Sequence, residues 1–196
     1  MDAASFATAY GLSASVGLRP FLTLALAALA IHFGYLHASP AFARLGSDGA
    51  AVMFGGLAVV EFAGDKIPAV DHVLHVLHFA IKPLAAAILV GGTIGGASPE
   101  PVPFDVAAMV VAGLSALGIH AGVTALRGAS SAATLGFANP LVSLGEDVTS
   151  IAATLLAILV PFAGAFLGLA IGIVAFAIVV ALTRELRRRR SVAPTS

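Results

Sequence analysis

Residues 104–126 read FDVAAMVVAGLSALGIHAGVTAL, an apolar run whose one charge, Asp105, stands near its start. As a helix it is about 34 Å long at a rise of 1.5 Å per residue. That is enough to cross a hydrocarbon core of about 30 Å. The segment before it, Ser98-Pro99-Glu100-Pro101-Val102-Pro103, is a loop, because prolines this dense cannot continue a helix. The run sets the expected fold class: all-α, a polytopic transmembrane helix bundle.

The rest of the chain follows the same pattern. Of 196 residues, 59% are hydrophobic and only 10% charged, with a mean hydropathy of +1.03. A soluble domain carries about a quarter charged residues to wet its surface. Most of this surface must therefore face something other than water. There is no cysteine, which excludes disulfides, thiolate metal sites and cysteine nucleophiles. The start, Met1-Asp2-Ala3-Ala4, lacks the basic region of a cleavable signal peptide and is expected to be retained.

Further apolar segments cover residues 5–18, ended by Arg19-Pro20; 21–37; 49–64, ended by Gly64-Asp65-Lys66-Ile67-Pro68; and 70–95, interrupted by Lys82-Pro83. Asn139-Pro140 reads as a helix start with Asn as the cap. From there the chain is apolar to Thr183, too long for one crossing, so Pro161 and Gly164 are expected to mark a tight hairpin. The sum is about six to seven membrane segments with broken or re-entrant helices, arranged as one transmembrane domain over residues 1–186. A short basic tail, 187–196, follows. Runs of Ala and Gly allow close helix approach, and the small size suggests a homodimer.

Charge placement gives an orientation. Five of the ten basic residues lie in the last thirteen positions, Arg184 and Arg187 to Arg190. Arg-rich ends stay cytoplasmic, so the C-terminus is expected inside and the proline-rich loop outside. The tail adjoins a membrane helix, which points to lipid and topology and not to nucleic acid. A weak internal echo pairs Val16-Gly17-Leu18-Arg19-Pro20 with Thr124-Ala125-Leu126-Arg127-Gly128, as in transporters built from duplicated halves.

Charges at bilayer depth cost at least about 2.5–3.5 kcal/mol and so need partners, water or a role. At 100° per residue from Asp71, His75 falls at about 40°, His78 at about 340° and Lys82 at about 20°. They form one polar seam on an apolar rod, with His72 off it. From Ser143, Asp147 lies at about 40°, Ser150 at about 340° and Thr154 at about 20°, with Glu146 beside them at about 300°. Glu61 and Asp65, four apart, share another face. Arg19, Lys66, Lys82 and Arg127 are the available counter-charges. Each has a simpler reading as well: Asp65, Lys66 and Arg127 as surface markers or caps, Lys82 as a snorkelling side chain, Ser150 and Thr154 as groups bonding their own backbone.

Asp71, His75 and His78 also have a spacing that lets side chains meet one divalent ion, although no HExxH pattern exists and no cofactor is otherwise expected. Proton relay by His75 and His78 is an equal alternative. His32, His37 and His120 are expected to be packed or interfacial. No phosphate-binding glycine loop, dinucleotide fingerprint or nucleophile elbow is present.

Gly17-Leu18-Arg19-Pro20-Phe21-Leu22, Asp65-Lys66-Ile67-Pro68-Ala69-Val70-Asp71 with Lys82-Pro83, and Asn139-Pro140 with Ser143, Glu146 and Asp147 together resemble a family of small bacterial inner-membrane proteins. The family is catalogued as domain of unknown function 4126. The resemblance spans nearly the whole chain and implies a bacterial inner-membrane location without implying an activity. Where that family carries an acidic residue and an Arg-Pro, this chain has His75 and Lys82-Pro83.

The expected function is that of a small transporter or channel-like protein moving an ion, a proton-coupled solute or a phosphorylated lipid. Its path would be lined by Arg19, Glu61, Asp65, Lys66, Asp71, His75, His78, Lys82, Arg127, Asn139, Ser143, Glu146 and Asp147. Two other readings stand beside it: a membrane scaffold whose charges only pair, and an intramembrane enzyme acting on lipid.

Overall fold

The structure, a computed structural model, describes residues 2–95 and 103–192. Within them lie seven α-helices: α1 (Ala3–Leu18), α2 (Pro20–His32), α3 (Asp48–Gly64), α4 (Pro68–Ile94), α5 (Pro103–Thr134), α6 (Asn139–Leu159) and α7 (Pro161–Val192). A short 3₁₀ helix, Pro40–Gly46, precedes α3. Of the proline-rich loop only Pro103 is described, opening α5; residues 98–102 lie outside the described residues. α7 carries the helix past Arg187 to Val192, and residues 193–196 of the expected tail lie outside the described residues.

Proline sets several helix starts, since its fixed φ suits the first turn and its missing N–H costs nothing there. Pro20, Pro68, Pro103 and Pro161 each open a helix. At α6 the cap residue is Ala138 and not Asn139. The Asn139 side chain instead donates from Nδ2 to Ser131 Oγ at 2.8 Å.

Two expectations change. α4 runs unbroken through Pro83, where an interruption was expected. Proline is tolerated inside membrane helices when neighbouring helices compensate. Here Gly113 of α5 fits against Pro83, where an added Cβ would meet its carbonyl oxygen at 3.1 Å. Second, among the described residues four helices are long and apolar enough to cross a membrane: α4, α5, α6 and α7. A fifth span results if the 3₁₀ helix and α3, bent by 63°, count together. The count of six to seven is not reproduced. α1 with 16 residues and α2 with 13 reach only about 24 and 20 Å.

α1 is nonetheless the centre of the bundle. It packs against α4, α5, α6 and α7, and Gly11 through Leu18 are all buried. Small residues make this possible. Gly17 lies so close to α5 that a Cβ would stand 2.7 Å from that of Ile119, and at Gly11 it would stand 2.8 Å from that of Ala157 in α6. Hydroxyls inside the helix are satisfied, with Ser13 Oγ donating to Ala112 O at 3.0 Å and Ser15 Oγ to Gly11 O at 3.0 Å. Outside the bundle, large apolar side chains such as Leu114, Phe166 and Phe176 are exposed, a surface suited to lipid. The chain is a helical membrane protein.

Candidate functional site

α1 ends at Leu18, and the extended backbone of Arg19 (φ −132°) lets the chain turn into α2. Residues preceding proline favour that region. The break places the Arg19 side chain, 3% exposed, inside the bundle. Its Nη1 pairs with Asp65 Oδ2, its Nε lies 2.7 Å from Asp147 Oδ1, and its Nη2 donates to Ser143 Oγ at 2.9 Å and Ser143 O at 3.3 Å.

Arg127 of α5 forms the second hub. Nε and Nη2 hold Glu146 at 2.9 and 3.1 Å, Nη1 holds Asp71 Oδ1 at 2.8 Å, and Nη2 reaches Asp65 Oδ2 at 3.3 Å. Asp65, in the connection between α3 and α4, therefore receives both arginines of the sequence echo. Burial pushes its carboxyl up, but Arg19 and Arg127 outweigh that and hold it below the ordinary value. At Asp71, on the first turn of α4, burial wins over the pull of Arg127 and the carboxyl is pushed up.

A second layer lies along the seam of α4. Glu61 of α3 accepts from the Phe21 N–H at 3.3 Å, capping α2 where Arg19 provides no side-chain cap. Its other oxygen faces His78 Nε2 at 3.3 Å. Lys82, 2% exposed, donates to Gly17 O at 3.0 Å and lies 2.9 Å from His120 Nδ1. His75 Nε2 meets Thr124 Oγ1 at 2.6 Å, and its ring centroid lies 4.6 Å from that of His120. On α6, Ser150 and Thr154 both meet Thr23 Oγ1, at 3.3 and 3.4 Å.

The seam and the α6 face thus meet in one network. Lys66 and Asn139 stand apart from it: Lys66 stacks 3.8 Å from the Phe62 ring centroid and donates to Phe62 O, and Asn139 bonds locally. Asp71, His75 and His78 reach for Arg127, Thr124 and Glu61 respectively, and among the described residues no group of three or more His, Asp or Glu is arranged to hold a metal ion. His120, expected to be packed or interfacial, is fully buried and sits inside the network. Its signal was available: His120, Thr124 and Arg127, at spacings of four and three, share one helix face.

Beside Arg19, a cavity of about 260 Å³ opens between α2, α3 and α6. Glu61 and Asp147 line it with Arg19, and Leu22, Val59, Phe62 and Ile151 supply apolar walls. Asp147 is 6% exposed, and its Oδ2 has no hydrogen-bond partner among the described residues. Both guanidiniums are paired with carboxylates, although Arg19 Nε, 2.7 Å from Asp147 Oδ1, makes no hydrogen bond, and Asp147 Oδ2 and Glu61 Oε1 are likewise without hydrogen-bond partners among the described residues. Four buried carboxyl groups (Glu61, Asp65, Glu146, Asp147) and the partly exposed Asp71 share this region with three bases (Arg19, Lys82, Arg127). A low-dielectric interior does not hold such an excess of negative charge without protons or a bound cation.

The model of the family described as domain of unknown function (DUF4126) matches residues 6–183. No curated protein and no solved structure matches the chain.

Proposed function

We propose, for a chain that belongs to the family described as domain of unknown function DUF4126, that it is a small membrane transporter moving protons or a cationic solute through its charged interior. One observation carries the reading: carboxylates outnumber bases around Arg19 and Arg127, both of which are already paired with carboxylates. An anionic cargo such as a phosphorylated lipid would have to displace a carboxylate from each guanidinium. A cation or proton finds spare acceptor oxygens. The broken α1–α2 pair fits this use, since irregular backbone at membrane depth is tolerated where it is enclosed by protein or lines a cavity. The Arg-rich end adds a cytoplasmic C-terminus, and the reading places the protein in a bacterial inner membrane.

The scaffold reading has one observation in its favour, the saturation of Arg127 by carboxylates from three directions. Reconstitution separates the two. In proteoliposomes with an imposed pH or cation gradient, reported by an entrapped pH-sensitive dye, the wild type should dissipate the gradient faster than empty vesicles. Asp71→Asn and Glu146→Gln should remain monodisperse and slow that flux. Flux equal to that of empty vesicles would leave the charges a structural role.

A further inference from the structure

We propose that the chamber between α2, α3 and α6 binds a small lipophilic ammonium ion, a protonated primary amine carrying a short alkyl or aryl group. The proposal rests on the cation reading above and names the chemistry of one site within it. Two buried carboxylates, Glu61 and Asp147, line the chamber, and each has one oxygen without a hydrogen-bond partner among the described residues. Asp147 is 6% exposed; its Oδ1 is held by Arg19 at 2.7 Å, while Oδ2 has no hydrogen-bond partner among the described residues. Glu61 is 2% exposed, with Oε2 on the Phe21 N–H and Oε1 at 3.3 Å from His78 Nε2 but without a hydrogen bond.

The remaining wall decides which cation fits. Leu22, Val59, Phe62 and Ile151 offer no oxygen. Hard metal ions demand six or more oxygen ligands, and the polar lining here is two carboxylates and a guanidinium. An ammonium head needs only two or three acceptors, and its organic body would cover the apolar wall. A volume of about 260 Å³ suits a body of one ring or a short chain. Val59 and Phe62 in its wall are 67% and 51% exposed, so the chamber reaches the apolar outer surface of the bundle.

The test is isothermal titration of the full chain in nanodiscs with benzylammonium, and with benzyl alcohol and sodium as comparators. The wild type should give a saturable heat with benzylammonium and none with benzyl alcohol. Asp147→Asn and Glu61→Gln should each weaken binding at least tenfold. Ala58→Leu, which fills the chamber without touching a charge, should abolish it and keeps the test open should a carboxylate variant fail to fold. No saturable heat, equal binding of the alcohol, or an affinity unchanged by all three variants overturns the proposal. A saturable sodium heat in place of the amine overturns it in favour of an alkali-ion site. Binding without flux sinks the transport reading alone; flux without binding sinks the amine site alone.

Discussion

Arg19 and Arg127 converge on a single oxygen, Oδ2 of Asp65, although 108 positions separate them in the chain. Two guanidiniums this close repel each other unless a negative charge stands between them. Asp65→Asn removes that charge and keeps the shape. We expect a loss of about 3–5 kcal/mol, the range for removing one partner of a buried ion pair, read from thermal unfolding in detergent. Because the folded carboxyl sits below its ordinary value of 3.8, the stability it contributes is present above that pH and lost as pH falls through the lower folded value. The variant should show a flatter acid limb, and an unchanged limb would mean the pairs are not formed.

Arg127 binds three carboxylates with three nitrogens, in directions fixed by the planar guanidinium. Arg127→Lys keeps the charge and loses the fork. It should destabilise nearly as much as Arg127→Met, by about 3 kcal/mol or more. A lysine variant melting with the wild type would show that charge alone suffices there.

Close packing makes a separate prediction. At Gly122 of α5 an added Cβ would fall 2.5 Å from that of Ala175 in α7, with the Ala175 backbone also in the way, whereas at Gly118 it meets nothing within 4 Å. Gly122→Ala should cost about 1–3 kcal/mol through overpacking. Gly118→Ala should be neutral or stabilise by up to about 1 kcal/mol through helix propensity. The same melting assay reads both, and equal effects would contradict the α5–α7 packing.

Much of this arrangement was written locally in the sequence. The apolar runs and the prolines at helix starts located the helices, and the four-and-three spacing of Asp71, His75, His78 and Lys82 turned them all to one side. What a linear pattern does not carry is distance between helices. Nothing local announced that α1, too short to span, would occupy the centre, or that Glu61 would cap α2 from α3. Pro83 misled because the groove at Gly113 that accommodates it belongs to another helix. The place of His120 in the network was not legible because its partner Lys82 is 38 positions away, even though Thr124 and Arg127 marked its face.

Orientation is tested apart from the interior. The Arg-rich end of α7 should lie in the cytoplasm. A green fluorescent protein fused after Ser196 should fluoresce, and alkaline phosphatase at the same place should be inactive. The reverse result would invert the topology.

Lys82 and His120 allow the sharpest test of the network. Both are buried, and Lys82 has only Gly17 O and His120 Nδ1 as hydrogen-bond partners among the described residues. His120→Leu strips the ammonium of one of two acceptors and should cost about 1–3 kcal/mol, more if the charge persists. Replacing both partners with apolar groups of similar size removes the unsatisfied pair as well as the bond, which is nearly neutral in general. The double variant Lys82→Met/His120→Leu should therefore be more stable than His120→Leu alone, with a coupling of about 0.5–3 kcal/mol in a double-mutant cycle. Strict additivity of the two single losses would show that the pair does not interact, and would remove the second layer from the site while leaving the two arginine hubs in place.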